Sequence, residues 1–279
     1  MDNVRLGFVG AGFVGGAMIR AFSGYFPCIV YDKDKKIGSL KEVVGESDVI
    51  FLSLPTPEGE YGQCDTTILD SVLREINEMC VTVRCPGDPT PLPIVVRSTV
   101  TPTWFYEASE RNEHLEIFYM PEFLTARTAD LDFIMSSRFI LGTDDPDCPS
   151  LSARMIDEVF EARFPRTPFK IMTWEEASLV KYATNCFFTV KISFFNELYE
   201  ICNSLAVDGK KVIEEVMNDG RIGRSHFKVP GPDGSFGWGG ACFPKDSSEW
   251  ENGFGVDASD MVSAARKVNE RVRRDDYGR

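Results

Sequence analysis

Short apolar runs alternate with amphipathic stretches through the first half of the chain. Val4–Val9, Cys28–Tyr31, Val49–Leu54, Ile94–Arg97, Ile117–Met120 and Phe139–Leu141 are rich in β-branched and aromatic residues and too short for helices, so they read as strands. Near-continuous apolar strands with amphipathic spacers between them predict a parallel sheet wrapped by helices. The first spacer is expected to be a helix ending at Phe22, and the Pro- and Gly-rich stretch Cys85–Pro93 reads as a loop. At residue 173 the period changes. Thr173-Trp174-Glu175-Glu176 is a capping box, with Thr173 as N-cap and Glu176 three positions on. Behind it Val180, Ala183, Phe187, Val190, Phe194, Leu198 and Ile201 keep helical spacing to about Leu205. Phe188, Ile192 and Phe195 add a second apolar face, so this helix is expected to be covered on most sides, by a partner subunit or by its own domain. A helix around Lys210–Met217, a Gly-rich loop from Gly220 to Gly240 and a terminal helix near Ala258–Arg273 complete the pattern.

Composition adds limits. With 279 residues, 43% hydrophobic and 26% charged, the chain has room for two domains of ordinary globular make-up. A formal charge of −13 argues against nucleic acid and anionic membranes as partners, while leaving a phosphorylated ligand open to local helix N-termini and single cations. No apolar run approaches the ~18 residues of a membrane-spanning helix, and Met1-Asp2-Asn3 leads into a strand with no signal-peptide pattern. The eight cysteines, at 28, 64, 80, 85, 148, 186, 202 and 242, include no C-x-x-C pair, and His114 and His226 lie far apart. Neither a metal site nor a disulfide framework is expected, and the compartment reads as reducing cytoplasm.

Gly10-Ala11-Gly12-Phe13-Val14-Gly15 follows the first strand and opens a helix, and Asp32 stands twenty residues beyond Gly12 at the end of the second strand. Backbone N–H groups and a helix dipole there suit a pyrophosphate, and a carboxylate suits ribose hydroxyls. Asp32 favours NAD, since a carboxylate repels a 2′-phosphate; Lys33, Lys35 and Lys36 keep NADP as the alternative. The architecture is therefore expected to be α/β: a Rossmann-type parallel sheet binding the cofactor over residues 1–172, then a long central helix and a small all-helical domain over 173–279. Three later strands end in Pro55-Thr56-Pro57, Ser98-Thr99 and Pro121-Glu122-Phe123, the end of an open sheet where ligands bind. Alone, Thr99 reads as a helix cap and Glu122 as a surface carboxylate. Lys181 and Asn185 share a face of the long helix, where an ammonium and an amide could stabilise an alkoxide; a solvated lysine is the plainer reading, but this stretch is otherwise apolar. Arg221 is a phosphate or sugar ligand on one reading and a surface arginine on the other. Gly239-Gly240-Ala241-Cys242-Phe243-Pro244-Lys245-Asp246 places a thiol between a flexible diglycine and a proline expected to fix a turn, with a carboxylate four residues on. A cysteine is more often a small buried hydrophobe, but a thiolate can also attack an aldehyde.

Taken in order, these motifs, with Lys191-Ile192, Asn196-Glu197 and Arg221-Ile222-Gly223, resemble the UDP-glucose/GDP-mannose dehydrogenase family over residues 4 to about 270. The resemblance implies NAD-dependent oxidation of a nucleotide sugar's C6 alcohol to a carboxylate. It implies that Cys242 captures the intermediate aldehyde, that Lys181 and Asn185 stabilise the oxyanion, and that Thr99 and Asp246 hold a water. Glu122 would assist the acyl steps. Cys242 needs a neighbouring cation or base, for which Lys181 is a candidate. Cofactor contacts would come from Gly10, Gly12, Phe13, Val14, Gly15, Asp32, Pro55, Thr56, Ser98 and Thr99. Substrate contacts would come from Glu122, Phe123, Leu124, Lys181, Asn185, Arg221, Phe236 and Gly239, with Arg221 reaching the partner's ligand in a homodimer built on the central helix. The family continues into a third domain over the nucleotide end of the sugar, and these 279 residues stop before it; a fragment and a naturally short member are the alternatives. A two-electron β-hydroxyacid dehydrogenase and a non-catalytic NAD-binding dimer remain as competing readings.

Overall fold

Apolar strands of four or five residues form a seven-stranded sheet in the computed structural model, which describes residues 4–60, 62–84, 90–254 and 258–273. The strands are β1 (Leu6–Val9), β2 (Cys28–Tyr31), β3 (Val49–Leu52), β4 (Leu92–Val96), β5 (Leu115–Tyr119), β6 (Phe139–Thr143) and β7 (Phe169–Thr173). Their order is β2-β1-β3-β4-β5-β6-β7. All neighbours are parallel except β5 and β6, which meet antiparallel at Tyr119 and Gly142, so the sheet is mostly rather than wholly parallel. The intervening helices are α1 (Phe13–Phe22), α2 (Leu40–Glu46), α3 (Thr67–Val83), α4 (Trp104–Arg111), α5 (Ala129–Ile134) and α6 (Leu151–Arg163). The remaining helices are α7 (Trp174–Ser204), α8 (Gly209–Met217), α9 (Phe243–Asn252) and α10 (Asp260–Val272).

The chain divides into two units. The first comprises Met1–Thr56 and Asp65–Lys181, the second Pro57–Cys64 and Tyr182–Arg279. In the first unit, alternation along the strands sorts side chains to the two sheet faces. Ile50, Leu52, Ile94, Val96 and Ile117 pack with Val43, Leu73 and Phe105 of α2, α3 and α4. On the other face Phe8, Phe51, Val95 and Phe118 meet Met18, Phe22, Phe133 and Phe160 of α1, α5 and α6. Phe160 is central there, with ring centroids 4.7 Å from Phe139 and 5.1 Å from Phe22, both edge-on. The capping box forms in full: the Thr173 N–H donates to Glu176 Oε2 at 3.0 Å, and the Glu176 N–H donates to Thr173 Oγ1 at 3.2 Å. Because Thr173 also ends β7, the last strand turns directly into α7.

The second unit has a small core of Phe195, Ile213, Met217 and Val229. Its stretch of α7 buries Thr189, Ser193 and Asn196, each hydrogen-bonded. Ser193 Oγ donates to the Ala265 carbonyl at 2.9 Å and accepts from Trp238 Nε1 at 3.0 Å; Asn196 Oδ1 accepts from the Gly237 N–H at 3.0 Å. Asn269 exchanges hydrogen bonds with both backbone groups of Trp238, so the Gly-rich segment is tied down at its end by two asparagines.

Two expectations are corrected and a third is narrowed. The 85–93 loop is shorter, since Leu92 and Pro93 belong to β4; β3 pairs with it only from Ile94 onward, which tolerates a proline there. Residues 85–89 lie outside the described residues. Of the two covers expected for the aromatic stripe of α7, the described residues of its own chain do not supply one: Phe187, Phe194 and Ile201 are 63%, 57% and 55% exposed. Pro244 makes no turn but sits in the first turn of α9, capped by Cys242, a position where its missing N–H costs nothing.

The ring cluster and the cap give a stability prediction. Phe160→Ala should lower the first unit's stability by about 3–5 kcal/mol and Thr173→Ala by about 1 kcal/mol, read from urea denaturation. Comparable effects from the two would contradict this packing.

Candidate active site

The glycine turn is built as dinucleotide chemistry requires. Gly10 has φ +89, and a Cβ there would fall 2.3 Å from the Ser53 carbonyl oxygen, so only glycine fits. Gly12, the N-cap of α1, faces open space: a Cβ would meet nothing within 4 Å. Gly15 packs α1 against the turn. Phe13 and Val14 open the helix, Phe13 being well exposed. At the end of β2, Asp32 accepts from the Ala11 N–H at 2.7 Å and the Lys35 N–H at 2.8 Å. Those two backbone donors, Lys35 first, lower its pKa and keep the carboxylate charged beside the turn. The Lys35 ammonium is engaged by the Ala11 carbonyl. Open backbone at a helix N-terminus with an ionised acid beside it fits NAD, with Gly12, Phe13 and Asp32 as its holders.

The neighbouring strand ends are pinned together. Ser98 Oγ donates to the Leu54 carbonyl at 2.7 Å and accepts the Leu54 N–H at 3.1 Å, while Thr56 Oγ1 donates to the Thr99 carbonyl at 3.0 Å. Pro55 is exposed and Thr99 half-buried. After β5, buried Glu122 receives Lys181 Nζ at 2.7 Å on its carboxylate and at 2.6 Å on its carbonyl, and Oε2 also accepts the Leu124 N–H at 2.8 Å. Phe123 stands below the ammonium, 5.8 Å from ring centroid to Nζ, and with Leu124 is half-buried. Glu122 is thus no surface carboxylate and Lys181 no solvated lysine. Arg97, which the sequence reading assigned to a strand alone, is buried beside them. Its Nε has no partner among the described residues, and burial pulls its pKa down to about 10 despite the charge of Glu122.

In the second unit Asp246 organises a buried polar cluster. It is 1% exposed, receiving Lys245 Nζ on Oδ1 at 2.6 Å and Asn185 Nδ2 on Oδ2 at 2.5 Å. Its N–H closes the first turn of α9 on the Cys242 carbonyl at 2.8 Å. Cys242 is half-buried at a helix N-terminus, where the dipole favours a thiolate. Lys245, given no role by sequence, is the ammonium whose charge couples to Cys242. Burial lowers its pKa, but Asp246, Cys64 and Cys242 outweigh that and raise it. The signal was available: Pro at the start of a helix puts 242, 245, 246 and 249 on one stripe. Lys181, the expected cation for this thiol, is committed to Glu122 in the first unit.

The other expected ligands also lie in the second unit. Arg221 is exposed and clamped by Asp219, with Nε–Oδ1 at 2.9 Å and Nη2–Oδ2 at 2.6 Å. Phe236 leans on Tyr199 at 5.7 Å, and Gly239 lets the Arg273 guanidinium approach. His226, seen in the sequence only as a distant histidine, stacks on Phe188 at 3.7 Å; burial, then Lys191, lowers its pKa. Among the described residues no cluster of His, Cys, Asp or Glu could hold a metal, and no helix is long and apolar enough to cross a membrane.

The two glycines should separate on substitution. Gly10→Ala should destabilise the fold by more than about 1 kcal/mol, whereas Gly12→Ala should leave melting unchanged and weaken NAD binding. Calorimetric titration beside a thermal melt checks both, and equal behaviour of the two variants would contradict the turn's geometry.

Comparison with known proteins bears on this arrangement. The NAD binding domain of the UDP-glucose/GDP-mannose dehydrogenase family matches residues 36–163, and that family's central domain matches residues 175–271. The glycine turn precedes the first match and stands on its own geometry. UDP-glucose 6-dehydrogenase AglM of Haloferax volcanii is 32% identical over 213 residues, 73% of this chain and 47% of that protein. UDP-glucose 6-dehydrogenase of Rhizobium meliloti is 32% identical over 219 residues, 75% of this chain and 46% of its own length. The chain therefore spans about half of these relatives. The solved UDP-glucose dehydrogenase of Pyrobaculum islandicum superposes with a TM-score of 0.81 at 26% identity, covering 96% of this chain and 68% of that one. The chain belongs to the UDP-glucose/GDP-mannose dehydrogenase family and carries that family's NAD-binding domain.

Proposed function

We propose that this protein oxidises the C6 alcohol of a nucleotide sugar to the acid, with UDP-glucose as substrate and UDP-glucuronate as product, in a four-electron reaction with Cys242 as covalent nucleophile. The observation that supports this most is the buried Asp246, which holds Lys245 and Asn185 at the first turn of the helix that Cys242 caps. An ammonium and a helix N-terminus at one sulfur stabilise the thiolate that such chemistry needs. The names of the UDP-glucose 6-dehydrogenase relatives point to the sugar.

On this reading Thr99 and Asp246 hold a water that takes the alcohol proton. NAD, when bound, takes up the hydride released in each oxidation. The Cys242 thiolate adds to the aldehyde carbon, giving a thiohemiacetal whose oxyanion is stabilised by Lys181 and Asn185, one helical turn apart on α7. The second oxidation leaves a thioester on Cys242. Water then attacks the acyl carbon, the thiolate leaves, and Glu122 assists that hydrolysis. Phe123, Leu124, Phe236 and Gly239 line the sugar nucleotide. Residues 1–172 bind the cofactor and 173–279 carry the nucleophile. Two copies pair through the exposed stripe of Phe187, Phe194 and Ile201, where Arg221 serves the neighbouring copy's ligand, and the enzyme works in the cytoplasm.

Two measurements test this. With UDP-glucose, two NADH should form per acid released, and Cys242→Ser should cut acid formation at least about a thousandfold. A ratio of one, or an unaffected variant, overturns the mechanism. Sedimentation at micromolar concentration should give a dimer that Phe187→Glu with Phe194→Glu splits into monomers; a monomeric unmutated chain removes the pairing.

A further inference from the structure

Cys64 belongs to none of the motifs above, yet in the second unit its backbone is bound to the helix that Cys242 caps. The segment Pro57–Cys64 folds within that unit. Its turn closes through the Gly59 N–H to the Gln63 carbonyl at 2.6 Å and a bridge between Glu58 and Cys64. Gly62, at φ +81, lies so close to α9 that a Cβ would fall 2.1 Å from Ser248 Oγ. The Cys64 N–H donates to Oε2 of buried Glu249 at 2.6 Å. On α9 Cys242, Lys245, Asp246 and Glu249 stand at i, i+3, i+4 and i+7, one continuous stripe. Helical side chains lean toward the N-terminus, so a backbone bound to the Glu249 carboxylate is drawn toward Cys242.

We propose that Cys64 and Cys242 are a peroxide-reactive pair that closes to a reversible disulfide, making residues 57–64 a clasp on the nucleophile. Neither thiol is in a disulfide, and both are half-buried. Both also couple electrostatically to the Lys245 ammonium, a neighbour that favours thiolate. Among the described residues Cys186 is another thiol placed at Asp246, but its Sγ–H donates to the Asp246 carbonyl at 3.6 Å and burial pushes its pKa up, which leaves it a poor competitor. The chemistry balances with hydrogen peroxide as the oxidant. The Cys242 thiolate attacks one peroxide oxygen, the O–O bond breaks, and after proton transfer a sulfenic acid and water result. The Cys64 thiolate then attacks the sulfenic sulfur, the S–O bond breaks, and the oxygen leaves as a second water. Overall two thiols lose two electrons and two protons, and peroxide becomes two waters. Loss of activity on closure rests on the nucleophile role proposed above; the disulfide itself needs neither sugar nor NAD.

The test uses the full chain, hydrogen peroxide, a maleimide quench and mass spectrometry of a non-reduced digest. The expected result is a linked pair of peptides carrying Cys64 and Cys242, two hydrogens lighter than their sum, with maleimide labelling of both recovered after dithiothreitol. In Cys64→Ser, Cys242 should instead proceed to sulfinic acid, and dithiothreitol should recover no labelling. A Cys242 that stays labelled, that pairs with another cysteine, or that over-oxidises equally in both chains would overturn the proposal. Because no turnover is measured, that failure is distinguishable from failure of the dehydrogenase reading.

Discussion

A charge taken out of water must be met by another, and this constraint shapes both units. In the first, Glu122 and Lys181 are 7% and 2% exposed, and each is the other's counter-ion. In the second, Asp246 answers Lys245 and takes the Asn185 amide on its other oxygen. Such pairs add little net stability compared with apolar side chains of the same volume, but losing one partner costs about 3–5 kcal/mol. Stability alone gives no reason to place two lysines inside a chain this size. The proposed mechanism does: in it a buried ammonium with a fixed carboxylate is a preorganised place for negative charge to develop.

The rest of the fold positions those pairs. Ser98 and Thr56 tie the ends of β3 and β4, so the polar loops leave the sheet from a fixed edge. The capping box starts α7 at Trp174, setting the register that turns Lys181 toward Glu122 and Asn185 toward Asp246. The order of α9 follows from Cys242 as cap and Pro244 in the first turn, which puts Asp246 one turn inside the helix and in contact with Asn185.

Much of this was legible in the sequence because it rests on local rules. The strands showed as apolar runs, the start of α7 as its capping box, and the glycine turn as its spacing plus Asp32. What escaped rests on tertiary context. β7, Phe169–Thr173, is only partly buried and alternates too weakly to stand out. Pro93 disguised the start of β4 as loop. Lys245 drew no role, since nothing local says that α9 buries that side. The apolar stripe of α7 was visible, but that its own chain leaves it open, while Asn185, Thr189, Ser193 and Asn196 face inward, is a property of packing. Arg97 ends a strand whose pattern carries no hint that its guanidinium is enclosed.

In the proposed mechanism the acid is made while attached to one sulfur. Acid quenching of a single turnover with UDP-glucose and NAD, followed by digestion and mass spectrometry, reads that bond directly. A peptide containing Cys242 that carries the acyl sugar nucleotide, appearing before free acid and decaying as acid accumulates, is the outcome predicted. Acid accumulating while Cys242 remains unmodified at every time point would contradict the account.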